Sequence, residues 1–170
     1  MPLRPSLTVN AAELLRQPGT RRHIEIDIPL GGLDVDDPRL DGFVAVDVTA
    51  ESTLDDIDVT GTLTVAWRDT CRRCLRPLAG ALVIDVDERY AVPGATVDPE
   101  AFPIEHGQLD LAPMVRENAL LGVPDAPLCR DDCPGLCPVC GADLQSDPCT
   151  CDTAVRDERW AVLDQLRLDE

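Results

Sequence analysis

Apolar and polar residues alternate one by one along four stretches in the first half of the chain. Ile24, Ile26, Ile28 and Leu30 fall on one side of the first stretch, with Glu25 and Asp27 on the other. In the second, Val44, Val46, Val48 and Ala50 alternate with Ala45, Asp47, Thr49 and Glu51. The third sets Ile57, Val59, Leu63, Val65 and Trp67 against Asp58, Thr60, Thr62, Thr64 and Arg68. The fourth sets Leu78, Leu82, Ile84 and Val86 against Asp85 and Asp87. A period of two is that of a strand with one face buried. Strands that are apolar on one side only build an antiparallel sheet with a wet face. Gly31-Gly32, Asp36-Asp37-Pro38 and Asp41-Gly42 supply turn chemistry between them.

Helical signals flank the strands. The opening segment from Thr8 to Gly19 reads as a short helix: Asn10 could cap it, Ala11, Ala12, Leu14 and Leu15 favour it, and Pro18-Gly19 stop it. Residues 91–107, rich in Pro, Gly and acids, predict a loop. Asp110 then caps a helix from 111 to about 121, with Leu111, Met114, Val115 and Leu121 as its buried side. Pro113 is tolerated in the first turn, and Gly122 and Pro124 end the helix. A last helix, capped by Asp157, sets Trp160, Leu163 and Leu166 on one stripe.

Composition narrows the picture. A chain of 170 residues buries roughly 70% of its unfolded surface and does not depend on cross-links to fold. Aromatic residues are only 3%, so Val, Leu, Ile and Ala must build the core. The formal net charge is -17, and every basic residue is an arginine. A field of that sign repels phosphate, which disfavours unaided binding to naked nucleic acid and favours a basic partner; solubility alone is the plainer reading of the same charge. The first residues lack a signal-peptide pattern, and no run of about 18 apolar residues exists to span a membrane. A cytoplasmic protein without membrane contact is expected. In a reducing cytosol, eight cysteines point to metal before disulfides.

Cys71-Arg72-Arg73-Cys74 lies between the third and fourth strands, at the tip of a hairpin. A redox C-x-x-C pair belongs at a helix N-terminus, where the dipole lowers a thiol pKa. A hairpin tip instead lets two thiolates converge on one tetrahedral ion. Cys137-Pro138-Val139-Cys140-Gly141 is a stronger knuckle signal: proline stiffens the loop and glycine permits the turn after the second cysteine. Cys149-Thr150-Cys151, approached through Asp147-Pro148, completes a local set of four. Cys129 and Cys133 then pair with Cys71 and Cys74, although Cys133 and Cys137 could exchange roles. Two structural zinc ions are the expected cofactors, with redox-active or ordinary buried thiols as the competing readings. The fold expected is α+β: a small antiparallel sheet or partly open barrel with a few helices over residues 1–125. Residues 126–170 form a cysteine-rich zinc-knuckle segment with the C-terminal helix, packed on the first domain.

Eight thiolates divided four and four leave no open coordination position for catalysis. His23 and His106 stand alone, the carboxylates fall on solvated faces, and no phosphate loop or nucleophile motif occurs. The sequence therefore predicts no enzyme and no small-molecule substrate. Arg72, Arg73, Arg76 and Arg130 could offset the net charge of a four-thiolate zinc centre. The rival reading is that the first three contact RNA or a partner at the hairpin tip.

The order of these motifs resembles that of the YceD family, the large ribosomal RNA subunit accumulation proteins. The matching residues are the Cys71-Arg72-Arg73-Cys74-Leu75 knuckle, Gln108-Leu109-Asp110-Leu111, Pro127-Leu128-Cys129, Gly135-Leu136-Cys137-Pro138-Val139-Cys140-Gly141 and Arg159-Trp160-Ala161-Val162-Leu163. The opening Leu14-Leu15-Arg16-Gln17-Pro18-Gly19 is also similar. The resemblance implies a role in accumulation or processing of 23S rRNA, with a large-subunit ribosomal protein or pre-50S particle as partner. Family genes often neighbour that of a small basic zinc-binding ribosomal protein, a setting that suits an acidic factor. An RNA-binding zinc module and a thiol redox or metal-handling protein are the alternatives.

Overall fold

A computed structural model describes residues 7–54, 56–92, 94, 99–153 and 159. Contacts within the chain form two compact units: Met1–Asp69 with Pro77–Asp125, and Thr70–Arg76 with Ala126–Glu170. The expected helix after Asp157, with Trp160, Leu163 and Leu166, lies outside the described residues.

The first unit is mixed α+β. Its elements are β1 (Thr8–Asn10), α1 (Ala11–Leu14), β2 (Arg21–Pro29), β3 (Leu40–Ser52), β4 (Asp56–Thr70), β5 (Pro77–Ala91), β6 (Phe102–Pro103), β7 (Gln108–Asp110) and α2 (Ala112–Leu121). Five strands form one sheet in the order β2-β3-β4-β5-β6, and β1 pairs with β7 in a second, two-stranded sheet. The β2–β3 pair runs antiparallel from Arg21↔Glu51 to Pro29↔Phe43. The β3–β4 pair does so from Leu40↔Trp67 to Ser52↔Ile57, with a bulge between Asp41 and Val44. The short Cys71–Arg76 connection can join β4 to β5 only antiparallel.

Alternation sets the buried face. Val44, Val46, Val48, Ala50, Ile57, Val59, Leu63 and Val65 are each at most 1% exposed. They share one core cluster with Leu109, Leu111, Met114, Val115 and Ala119. Gly61, at φ 150°, is required by close approach: a Cβ there would sit 2.2 Å from the carbonyl oxygen of Asp47 on β3.

Three expectations change. The sheet is not wholly antiparallel, because β6 pairs parallel with β5 through Tyr90↔Phe102 and Ala91↔Pro103. The stretch 91–107 therefore contains a strand, too short to carry a period. The opening segment is a strand before it is a helix: Thr8–Asn10 pairs with Gln108–Asp110, and Asn10 then caps α1 by accepting from the Glu13 N–H at 3.1 Å. Helix α2 begins one residue later than expected, with Leu111 in the capping position. The Asp110 carboxylate still accepts from the Ala112 N–H at 3.0 Å. Leu121 is 84% exposed and not part of the buried side.

Candidate metal centres

The described residues of the second unit bury little aliphatic surface. Among its described residues the buried hydrophobic side chains are Cys71, Cys74, Cys133 and Cys137. Its eight cysteines are unoxidised and gather into two quartets. The sulfurs of Cys71, Cys74, Cys129 and Cys133 lie within 4.8 Å of one another, as do those of Cys137, Cys140, Cys149 and Cys151. Four sulfurs at that spacing can hold one metal ion.

Each quartet is built on the same turn. In the first, the Cys71 N–H donates to the Arg76 carbonyl at 2.8 Å and the Leu75 N–H donates to the Cys71 carbonyl at 2.9 Å. In the second, the Cys137 N–H donates to Ala142 at 2.8 Å and the Gly141 N–H to Cys137 at 2.9 Å. The residue after the second cysteine is left-handed in both, Leu75 at φ 60° and Gly141 at φ 74°. Glycine takes that conformation freely and leucine does not.

The turn aims backbone donors at its first sulfur. The N–H of Cys74, with those of Cys129 and Arg73, holds the Cys71 thiol down to about 6. The N–H groups of Cys140 and Val139 do the same for Cys137, also to about 6. One later cysteine of each set is pushed up to about 12, Cys129 by burial and neighbouring thiols, Cys151 by the thiols of Cys140 and Cys149. Thiols this crowded cannot all ionise unless a cation joins them.

The arginines singled out from the sequence have structural partners. Arg76 donates twice to the Asp143 carboxylate, at 2.6 and 3.1 Å. Arg73 donates to the carbonyls of Asp131 and Cys133 at 3.1 and 3.0 Å. Arg72 is exposed and its backbone N–H donates to Pro127 at 2.9 Å. Arg130 pairs with Asp132 at 3.1 Å. Asp143 was not visible as a site residue from the sequence, since 67 positions separate it from Arg76 and no local pattern connects them. His23 lies beside Asp47 at 3.4 Å on the sheet, and His106 sits in an exposed turn.

A family model described as large ribosomal RNA subunit accumulation protein YceD matches residues 59–167, which include both quartets. The chain belongs to the YceD family. An uncharacterised protein of Mycobacterium tuberculosis (strain ATCC 25618 / H37Rv) is 32% identical over 168 residues, covering 94% of this chain and 81% of its own. A chloroplastic protein of Arabidopsis thaliana, named large ribosomal RNA subunit accumulation protein YCED homolog 1, is 30% identical over 66 residues. That match covers 39% of this chain and 21% of the relative. No solved structure gives a significant match, and among the described residues no helix is long and apolar enough to cross a membrane.

Proposed function

We propose that this chain is a non-enzymatic ribosome-biogenesis factor that supports accumulation of large-subunit rRNA by binding, with one structural zinc ion in each cysteine quartet. The observation that carries the reading is the family match over residues 59–167. The partner is a basic large-subunit ribosomal protein or the pre-50S particle, for which a net charge of -17 is complementary. On this reading the protein works in the cytoplasm.

The donor set fits zinc. Four sulfurs bound tetrahedrally at about 2.3 Å lie about 3.8 Å apart; Cys71 and Cys133 are separated by 3.8 Å and Cys74 and Cys129 by 3.7 Å. A set of four thiolates leaves no position for an activated water, so the ion's chemistry when bound is cross-linking alone. Cys71, Cys74, Cys129 and Cys133 would hold one ion, and Cys137, Cys140, Cys149 and Cys151 the other. The alternative of an RNA-binding module at the hairpin tip draws no support from Arg73 and Arg76, whose guanidiniums are engaged within the second unit. Depletion of the protein should lower large-subunit rRNA relative to small-subunit rRNA. An unchanged ratio would refute the biogenesis reading.

A further inference from the structure

A groove of about 510 Å³ opens over β6, β7 and the start of α2. Its apolar surface comes from Phe102, Pro103 and Pro113, and its acidic edge from Glu105, Asp110 and Glu117. No arginine lines it; His106 and Gln108 complete the lining. Among the described residues no cation pairs with these three carboxylates; the Asp110 carboxylate accepts the backbone N–H of Ala112.

The groove is rigidly built. Tyr90 is fully buried, stacks on Phe102 with ring centroids 5.2 Å apart, and donates its hydroxyl to the Asp110 carbonyl at 3.1 Å. One core side chain therefore fixes an apolar wall and an acidic wall together. The turn between those walls is also anchored: the Gly107 carbonyl accepts from the N–H groups of Ala11 and Ala12 at 3.0 and 3.3 Å. A preformed wall loses little freedom when a ligand docks, which favours binding.

We propose that this groove docks a segment of a basic protein, taking arginine or lysine side chains whose alkyl stems lie on Phe102, Pro103 and Pro113 and whose charged heads reach Glu105, Asp110 and Glu117. Long basic side chains suit such a site because stem and head have opposite solvent preferences. The docking rests on the binding role proposed above and assigns that role a place on the first unit, apart from the cysteines.

The test uses the full-length, metal-loaded chain and a short synthetic peptide of alternating arginine and leucine, with poly-uridine as the competing probe. Peptide should shift the amide resonances of Phe102, Glu105, Asp110 and Glu117. Glu105→Gln with Glu117→Gln should weaken binding by about tenfold, while Asp85→Asn with Asp87→Asn, an equal charge change on β5, should weaken it by less than about twofold. These glutamates are exposed, so the variants should fold, and retained amide dispersion checks that they do. Equal weakening by the two double variants, shifts confined to other residues, or shifts at the groove with poly-uridine alone would each overturn the proposal. The depletion phenotype is measured separately with the unmodified chain, so loss of the groove and loss of the biogenesis reading give different results.

Discussion

Removing metal from the reduced protein should unfold the second unit and leave the first folded. The described side chains that the second unit buries are those of Cys71, Cys74, Pro127, Cys133 and Cys137, while Leu128, Leu136 and Leu144 are half-buried. Full burial of a leucine stabilises by about 1.5–3 kcal/mol, so these leucines together contribute a few kcal/mol. Ordering a residue's backbone costs about 1–2 kcal/mol, so the segment Thr70–Arg76 alone requires on the order of 10 kcal/mol. Structural zinc sites supply about 10–16 kcal/mol in peptides. Among the described residues, metal–thiolate bonding is therefore the term large enough to hold this cysteine-rich part of the unit. Amide hydrogen exchange after chelation under reducing conditions reads this residue by residue. The amides of Leu75, Leu136, Cys137 and Gly141, all hydrogen-bonded in the knuckles, should exchange within about tenfold of an unprotected chain. Those paired along Val44–Ala50 and Ile57–Val65, in a core free of cysteine, should stay protected. Cys133→Ser should also lower the zinc content from two ions per chain to one. Persistent protection of Leu136 and Cys137 in the metal-free, reduced protein would refute the reasoning.

Two further outcomes follow from differences between the quartets. Cys71, Cys74 and Cys133 are at most 5% exposed whereas Cys140 is exposed, so a chelator should strip the second centre first. Metal release should show a fast phase that Cys140→Ser abolishes and Cys71→Ser spares; a fast phase surviving in Cys140→Ser would contradict this. Leu75 is 61% exposed and left-handed, so Leu75→Gly relieves about 1–2 kcal/mol of backbone strain against about 0.5–1 kcal/mol of glycine entropy. Denaturant melts should show unchanged or slightly raised stability for Leu75→Gly and a loss of about 1 kcal/mol for Gly141→Ala. A clear loss in Leu75→Gly would show that the leucine side chain does more than occupy the turn.

The strands that carry the core were legible because their alternation is long. Val44 to Ala50 and Ile57 to Val65 repeat the pattern often enough to fix both element and face, and the structure buries those residues. β6 and β7 span two and three residues, too few for any period; β6 pairs with the end of β5, and β7 with β1, far away in sequence. The acidic groove was hidden for the same reason, since Phe102, Asp110 and Glu117 meet only once Tyr90 is placed. The likeness of the two knuckles was hidden by a single residue: leucine stands at position 75 where its counterpart is Gly141, so the turn signal appears in one motif and not in the other.

The relation of Cys133 to Cys137 turns on a residue distant from both in sequence. Spacing alone leaves these cysteines interchangeable, because either is near enough to Cys140 to share a site. Arg73 separates them in space. Its guanidinium takes the carbonyls of Asp131 and Cys133, while its own carbonyl accepts the Leu136 N–H at 3.1 Å. The chain must turn between those contacts, and Gly135 makes the turn at φ 78°. A Cβ on Gly135 would lie 3.1 Å from the Arg73 carbonyl oxygen. Cys133 is thus held on the Cys71 side of the turn and Cys137 beyond it. Arg73, read from sequence as charge compensation or a contact for RNA or a partner, thus also ties Cys133 and Leu136 together across the Gly135 turn that lies between the two quartets.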